Sequence, residues 1–354
     1  MSMTEFEPSR SLRLAAQATS AYQRVFAASR VAPLLSKSNP VRRTGYDMDL
    51  LISGIRSEAD GVRSLTLTDP DGGDLPSWIP GAHLDLFLPS GKQRQYSLCG
   101  DPEDLSSYRI AVRRIDDGLG GSKEVHDELE VGAQISVRGP RNAFPLVSAP
   151  SYLFIAGGIG ITPILPMVKR CHNAGIPWKL VYFGRSRDSM PFQDELAECT
   201  TGEVEVRPDD EFGLPDIAGV ITEAQQGAAI YLCGPTPLMA TARGVMRQVN
   251  PTGSLHTERF SPLPVVDGNE FEVVLEKSGT TVDVGARETT LAAIRRELPG
   301  VSYSCQQGFC GTCKVRVLSG EVDHRDKLLT EEERETSMLT CVSRSAGGQL
   351  VVDL

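Results

Sequence analysis

Three cysteines fall within nine residues, Cys305-x4-Cys310-x2-Cys313, and a fourth, Cys341, follows after 27 more. This spacing restricts the fold more than any other feature of the chain. Two irons joined by sulfides need four thiolates converging from one tight loop and one remote element, which is the plant-type [2Fe–2S] pattern. Zinc sites usually repeat close Cys/His pairs, so zinc is the second choice. Gly308 and Gly311 let the backbone wrap closely and turn N–H groups toward sulfur. The flanks suit a β-grasp ferredoxin: a hairpin over 271–284, a short helix over 289–298, then strand and turn over 314–322. The other four cysteines lack ligand spacing. Cys99, Cys171 and Cys199 are expected to pack in cores, whereas Cys233 sits in a glycine–proline turn.

Composition sets the compartment and excludes some partners. At 354 residues the chain is too long for one core and implies two or three domains. No apolar run approaches the roughly 20 residues of a membrane span. The opening residues lack a basic start followed by an apolar core, so a reducing cytoplasm is expected, where cysteines act as ligands. A net charge of -10 argues against nucleic acid as a partner. Residues 1–46 run the other way, with seven basic residues against two acidic ones.

The stretch "SYLFIAGGIGITP" reads as a buried strand from Tyr152 to Ala156, a loop of Gly157, Gly158 and Gly160, and a helix capped by Thr162. A strand, glycine loop and helix N-terminus suit a pyrophosphate. The loop is GGxGxTP rather than GxGxxG, so alone it is a weak dinucleotide signal. A second strand ends near Arg185 and Arg187. A third ends in Cys233-Gly234-Pro235, completing an open parallel sheet whose ligand lies at the strands' C-terminal ends. Residues 47–147 alternate short β runs with turns, which fits a small antiparallel barrel. Within it, Arg94, Tyr96 and Ser97 offer a cation, an aromatic ring and a hydroxyl, the groups a flavin uses. Gly120 and Gly121 lead to Ser122, a candidate N-cap and second phosphate cradle. His83 and His126 read as surface or packing residues.

With "RQYSL", "GGS" at 120–122, "GGIGITP", "CGP", the cysteine set, "SGEVDHRD" and "CVSR" in place, the chain resembles the phthalate dioxygenase reductases, a family that includes vanillate demethylase reductases. The likeness runs from about residue 47 to the C-terminus. It implies a multidomain protein: an antiparallel flavin β-barrel (47–147), an α/β parallel-sheet NAD(P) domain (148–260) and a β-grasp ferredoxin domain (270–354). Residues 256–270 would join the last two. Carried over by position, Arg94, Tyr96 and Ser97 would hold the flavin, and Gly120, Gly121 and Ser122 its phosphate. Gly157, Gly158, Gly160 and Thr162 would line the dinucleotide site, with Cys233, Gly234 and Pro235 close to the nicotinamide. Cys305, Cys310, Cys313 and Cys341 would bind the cluster. Ser97 and Cys233 are the candidate catalytic residues.

The resemblance implies FMN in preference to FAD, and NADH in preference to NADPH; Arg185 and Arg187 themselves read either as solvated loop residues or as a grip on a 2′-phosphate, which would select NADPH. Hydride from the nicotinamide would reach the flavin, and electrons would leave singly through the cluster to a partner, a Rieske-type oxygenase. Two alternatives stay open: a self-sufficient NAD(P)H oxidase or quinone reductase, and a redox-sensing binding protein. The basic extension 1–46 falls outside the likeness. A partly amphipathic helix in residues 10–32 would lie on a membrane surface, placing the protein peripherally, dock on an acidic partner, or cover its own protein.

Overall fold

The computed structural model describes residues 46–354 apart from Leu119, Ser261, Pro262 and Ser304. The helical stripe expected in residues 10–32 and the linker at 36–45 lie outside the described residues. Among the described residues, no helix is long and apolar enough to cross a membrane.

Six antiparallel strands form the first sheet: β1 (Tyr46–Ala59), β2 (Val62–Thr68), β3 (Ala82–Phe87), β4 (Gln93–Ser97), β5 (Ser107–Arg113) and β6 (Gln134–Asn142). Their order is β4-β3-β6-β1-β2-β5, and a bridge between Leu98 and Ile110 joins the ends into the expected barrel. Alternation builds its core. In β6, Ile135 and Val137 are buried while Gln134 and Ser136 face solvent, the period of two that a half-buried strand requires. Helix α1 (Gly121–Asp127) crosses between β5 and β6, held to the β3–β4 turn by buried Glu124, which accepts from the Ser90 N–H at 2.8 Å. Ser122 is not its N-cap. Gly120 fills that position with φ 79°, a left-handed geometry that suits glycine, and Ser122 Oγ instead accepts from Ile115 N–H at 3.0 Å.

The second sheet is parallel, in the order β11-β10-β7-β8-β9. The three expected strands are its centre: β7 (Tyr152–Gly157), β8 (Trp178–Gly184) and β10 (Ala229–Cys233), with β9 (Glu203–Pro208) and β11 (Ser254–Glu258) at the edges. The central strands are apolar throughout because both faces are covered. Phe154, Leu180 and Tyr231 pack under α2 (Ile161–Ala174), next to the short α3 (Gln193–Ala197). Ile155, Val181 and Ile230 pack under α5 (Ile217–Thr222) and α6 (Thr236–Val249), the one-turn α4 (Asp209–Phe212) following β9. Two expectations need correction. Residues 256–258 belong to edge strand β11, paired in parallel with β10, so the connecting segment starts after Glu258. Thr162 lies inside α2, whose N-cap is Gly160; its hydroxyl donates to the Ile159 carbonyl at 3.0 Å.

The third sheet is mixed, in the order β13-β12-β16-β14-β15. It holds the hairpin β12 (Phe271–Leu275) and β13 (Thr280–Val284), then β14 (Lys314–Asp323), β15 (Ser337–Leu339) and β16 (Arg344–Val352). Helix α7 (Thr290–Glu297) starts at Thr289, whose hydroxyl accepts from the Ala292 N–H, and packs Ala293 and Ile294 onto the sheet. The short α8 (Glu331–Arg334) opens on a reciprocal capping box between Thr330 and Glu333.

The barrel and the parallel sheet are clamped by charge. Arg109 on β5 donates to Glu195 on α3 through two hydrogen bonds of 2.7 and 2.9 Å, with Lys169 paired to the same carboxylate and Arg109 stacked over the Phe192 ring at 5.0 Å. Burial works against the Glu195 charge, but the two cations win and hold its pKa at about 2. The contribution is therefore full above the ordinary carboxylate value and is lost as pH falls through about 2. Glu195→Ala should cost about 1.5–3 kcal/mol in denaturant unfolding at pH 7, with the difference from the parent shrinking as pH drops from about 4.5 toward 2.

Candidate functional site

Strand β4 carries Arg94, Tyr96 and Ser97 into one cavity of about 290 Å³. Arg113 and Ile115 line it from the end of β5, Gly118 from the turn before α1, Gly121 and Ser122 from the start of α1, Ile159 from the loop after β7 and Thr162 from the first turn of α2. Phe260 closes it from the segment after β11. Among the described residues, two arginines and no carboxylate face this space, so it favours an anion beside an aromatic wall. A Cβ at Gly121 would occupy the position of the Arg94 guanidinium, so this glycine exists to let the arginine lie across the α1 turn. Burial pushes the Tyr96 phenol up to about 12, keeping it a neutral donor. These residues fit a phosphate-bearing flavin. Gly120 does not line the cavity; it shapes the turn as the α1 N-cap.

The glycine loop after β7 and the Cys233-Gly234-Pro235 turn are packed against each other. A Cβ on Gly157 would meet Pro235 Cδ at 2.8 Å and Gly234 Cα at 3.2 Å, and one on Gly160 would strike the Cys233 carbonyl. Gly158 has φ +54°, which turns the chain into the helix. Cys233 is fully buried, and its thiol is raised well above its ordinary range by burial and then by Glu258. Glu258, read from the sequence as able to approach the flavin without a catalytic role, lies opposite Cys233 in register. Burial pushes its carboxyl up to about 8, and its Oε2 makes no hydrogen bond. Arg185 and Arg187 are both exposed, as the solvated-loop reading expects, and Arg187 makes two surface hydrogen bonds to Glu211, at 2.7 and 2.9 Å.

A second, smaller cavity shares Gln95, Tyr96, Ser97 and Phe260 with the first and is walled on its far side by Glu258, Cys305, Gln307 and Phe309. The cysteine loop reaches this point because it is docked on β4. The Tyr303 hydroxyl donates to the Gln93 carbonyl at 2.9 Å, and Gln93 Nε2 donates back to the Tyr303 carbonyl at 3.2 Å, both within buried surroundings. Gln307 Nε2 donates to the Arg259 carbonyl at 3.2 Å.

Within the loop the four sulfurs form two pairs, Cys305 with Cys310 and Cys313 with Cys341. A hydrogen bond from Cys305 is the largest influence on Cys310 and lowers its thiol below the ordinary range; Cys341 likewise lowers Cys313. No three Cys, His, Asp or Glu side chains among the described residues share one metal-binding point. Four cysteine thiols in two neighbouring pairs would suit the two bridged irons of a [2Fe–2S] cluster. Gly308 and Gly311 turn the loop at φ +79° and +77°, and the Gln307 N–H points at Cys305 Sγ at 3.3 Å.

The comparisons agree with this arrangement. A family model described as the 2Fe-2S iron-sulfur cluster binding domain matches residues 273–346. The phthalate dioxygenase reductase of Burkholderia cepacia is 36% identical over 86% of this chain and 97% of its own length. The chain belongs to the phthalate dioxygenase reductase family. Other relatives include the phenoxybenzoate dioxygenase subunit beta of Ectopseudomonas oleovorans, 40% identical over 87% of this chain and 97% of that protein. A solved phthalate dioxygenase reductase, titled as a modular structure for electron transfer from pyridine nucleotides to [2Fe-2S], aligns with TM-score 0.66 and 36% identity, covering 87% of this chain and 98% of that one. An intact self-sufficient cytochrome P450 monooxygenase aligns with TM-score 0.68 and 40% identity over 87% of this chain, which spans only 41% of that longer protein. The chain is an oxidoreductase of this family, with flavin, nicotinamide and ferredoxin modules in the expected order.

Sequence reasoning missed Arg113, Ile159 and Phe260 as cavity walls, because each comes from an element whose position is set only by tertiary packing. A Cβ on Gly308 would meet Val342 Cγ2 at 2.8 Å and Asp326 Cα at 3.2 Å in a left-handed backbone, whereas Gly300 has open space around it. Gly308→Ala should lower iron and sulfide per chain by half or more while flavin content holds; Gly300→Ala should change neither. Elemental analysis and visible absorbance check both.

Proposed function

We propose that this chain is the NADH-dependent reductase component of a Rieske-type oxygenase system, delivering electrons one at a time. The observation that carries the reading is the wall shared by the two cavities: Tyr96 and Ser97 line both the space fitted for flavin and the small space that ends on Cys305. A bound flavin accepts a hydride and releases single electrons, and a [2Fe–2S] centre relays them one by one.

The chain's own residues position and insulate. Arg94 would meet the flavin phosphate, and a phosphate cradle that ends the ligand at the turn near Gly118 and Gly121 favours FMN. Ser97, buried at the end of β4, would offer its hydroxyl as a hydrogen-bond partner to a flavin in this cavity. Cys233 lies at the C-terminal end of β10, beside the central strand β7, where nucleotide ligands bind in such sheets, and its thiol stays neutral. Glu258, neutral at pH 7 by virtue of its burial, holds a proton beside Cys233 without placing a charge in the electron route. Cys305 is the cluster ligand nearest the flavin wall.

NADH is favoured by the Arg187–Glu211 pair. The carboxylate after β9 suits a ribose 2′-hydroxyl, and the guanidinium beside it is already engaged. Glu211→Ala should release Arg187 toward a 2′-phosphate and raise kcat/KM for NADPH by about tenfold or more, the value of a charge-assisted contact. Steady-state kinetics with both nucleotides reads this directly.

The reading is tested with the flavin- and iron-loaded chain and a purified Rieske-type oxygenase. NADH oxidation should couple to product formation, and Cys310→Ser should abolish coupling while NADH still reduces the flavin. Equal turnover with oxygen or a quinone alone would overturn the partner assignment in favour of a self-sufficient oxidase.

A further inference from the structure

The barrel holds an ion pair that the flavin cavity does not use. Asp85 on β3 is fully buried and pairs with Arg141 on β6, itself 8% exposed. Gln95 Nε2 donates to Asp85 Oδ1 at 2.7 Å. His83 lies against them, kept neutral because burial, and then Arg141, hold its pKa near 3. Burying an ion pair costs several kcal/mol per ion in desolvation, so such a pair rarely exists for stability alone.

Arg141 points out of the barrel toward the cysteine loop. Its Nη1 donates to Thr312 Oγ1 at 3.3 Å, and the same Thr312 oxygen lies 3.4 Å from Cys310 Sγ. When Cys310 is a thiolate ligand it has no hydrogen to give, so the Thr312 hydroxyl turns its proton onto the sulfur and accepts from Arg141. A line of polar groups then runs from Asp85 through Arg141 and Thr312 to Cys310, across the boundary between barrel and ferredoxin module. The thiols of Cys310 and Cys305 are among the charges that act on Arg141, opposing the dominant effect of its burial.

Resting on the reductase reading above, we propose that Arg141 is a positioning residue through which the flavin barrel sets the reduction potential of the cluster. Adding an electron increases the negative charge at the thiolates, and a fixed cation in a low-dielectric interior stabilises that state. Asp85 holds the guanidinium in place and moderates its field. Thr312 transmits it as a hydrogen bond to sulfur, one of the recognised controls of iron–sulfur potentials. Electron flow from flavin to cluster is thereby biased forward only when the two modules are docked.

Redox titration of the loaded full-length chain, following the cluster by EPR and the flavin by absorbance in one experiment, tests this. Thr312→Val breaks the relay without changing charge. Arg141→Gln combined with Asp85→Asn removes the pair without stranding a buried carboxylate. Both should lower the cluster potential and leave the flavin potential in place, and Thr312→Ser should restore the parent value. A tenfold loss in the flavin-to-cluster equilibrium corresponds to a drop of about 59 mV, the effect expected of the double variant. An unchanged cluster potential in Thr312→Val, or equal shifts of cluster and flavin in either variant, would overturn the inference. A parent chain that holds no cluster would overturn the reductase reading beneath it instead.

Discussion

The reciprocal hydrogen bonds between Gln93 and Tyr303 are the contact on which the arrangement depends. Gln93 opens β4, the strand that carries Arg94, Tyr96 and Ser97, and Tyr303 stands two residues before Cys305. One short strand thus faces the flavin cavity and anchors the cysteine loop. The contact is not an ion pair, so salt does not screen it; what it supplies is geometry. Arg295 stacks on the outer face of the Tyr303 ring at 4.1 Å and shields it. A flexible tether would give the same modules without a fixed separation between their redox groups.

The ferredoxin module is held from behind by buried charge with matched acceptors. Arg344 is 1% exposed and donates to the carbonyls of Asn269, Gly285 and Glu288, tying β16 to the segments before β12 and α7. Asp326 is likewise buried and accepts the N–H groups of Leu328 and Leu329, the latter at 2.8 Å, stiffening the chain that packs against Gly308. Both residues sit in stretches that carry the family likeness, "CVSR" and "VDHRD". Their work is to shape the cysteine loop rather than to touch the cluster.

The legible part of this protein was the part written in local spacing. The cysteine interval marks a metal loop because ligands must converge, and the three apolar strands followed by glycine or proline turns mark a parallel sheet because both their faces are buried. Thr162 and Ser122 looked like caps because hydroxyls often cap helices, yet glycines take those positions. At Gly160 the backbone must pass close to the Cys233 carbonyl, and at Gly120 it takes a left-handed φ of 79°. Strand β11 was hidden in an apparent linker: its residues Ser254–Glu258 alternate poorly and become a strand only by pairing with β10. The Arg187–Glu211 pair, the Glu258–Cys233 register and the Asp85–Arg141 pair join residues far apart in sequence or on separate strands, and no window of sequence contains them.

The central claim is that flavin and cluster exchange electrons inside one docked chain. Rapid mixing of the loaded protein with NADH, followed by absorbance at flavin and cluster wavelengths over a twentyfold range of protein concentration, addresses it most directly. The account predicts that the cluster is reduced after the flavin at a rate independent of protein concentration. A rate that rises in proportion to protein concentration would mean that electrons pass between molecules, and would contradict it.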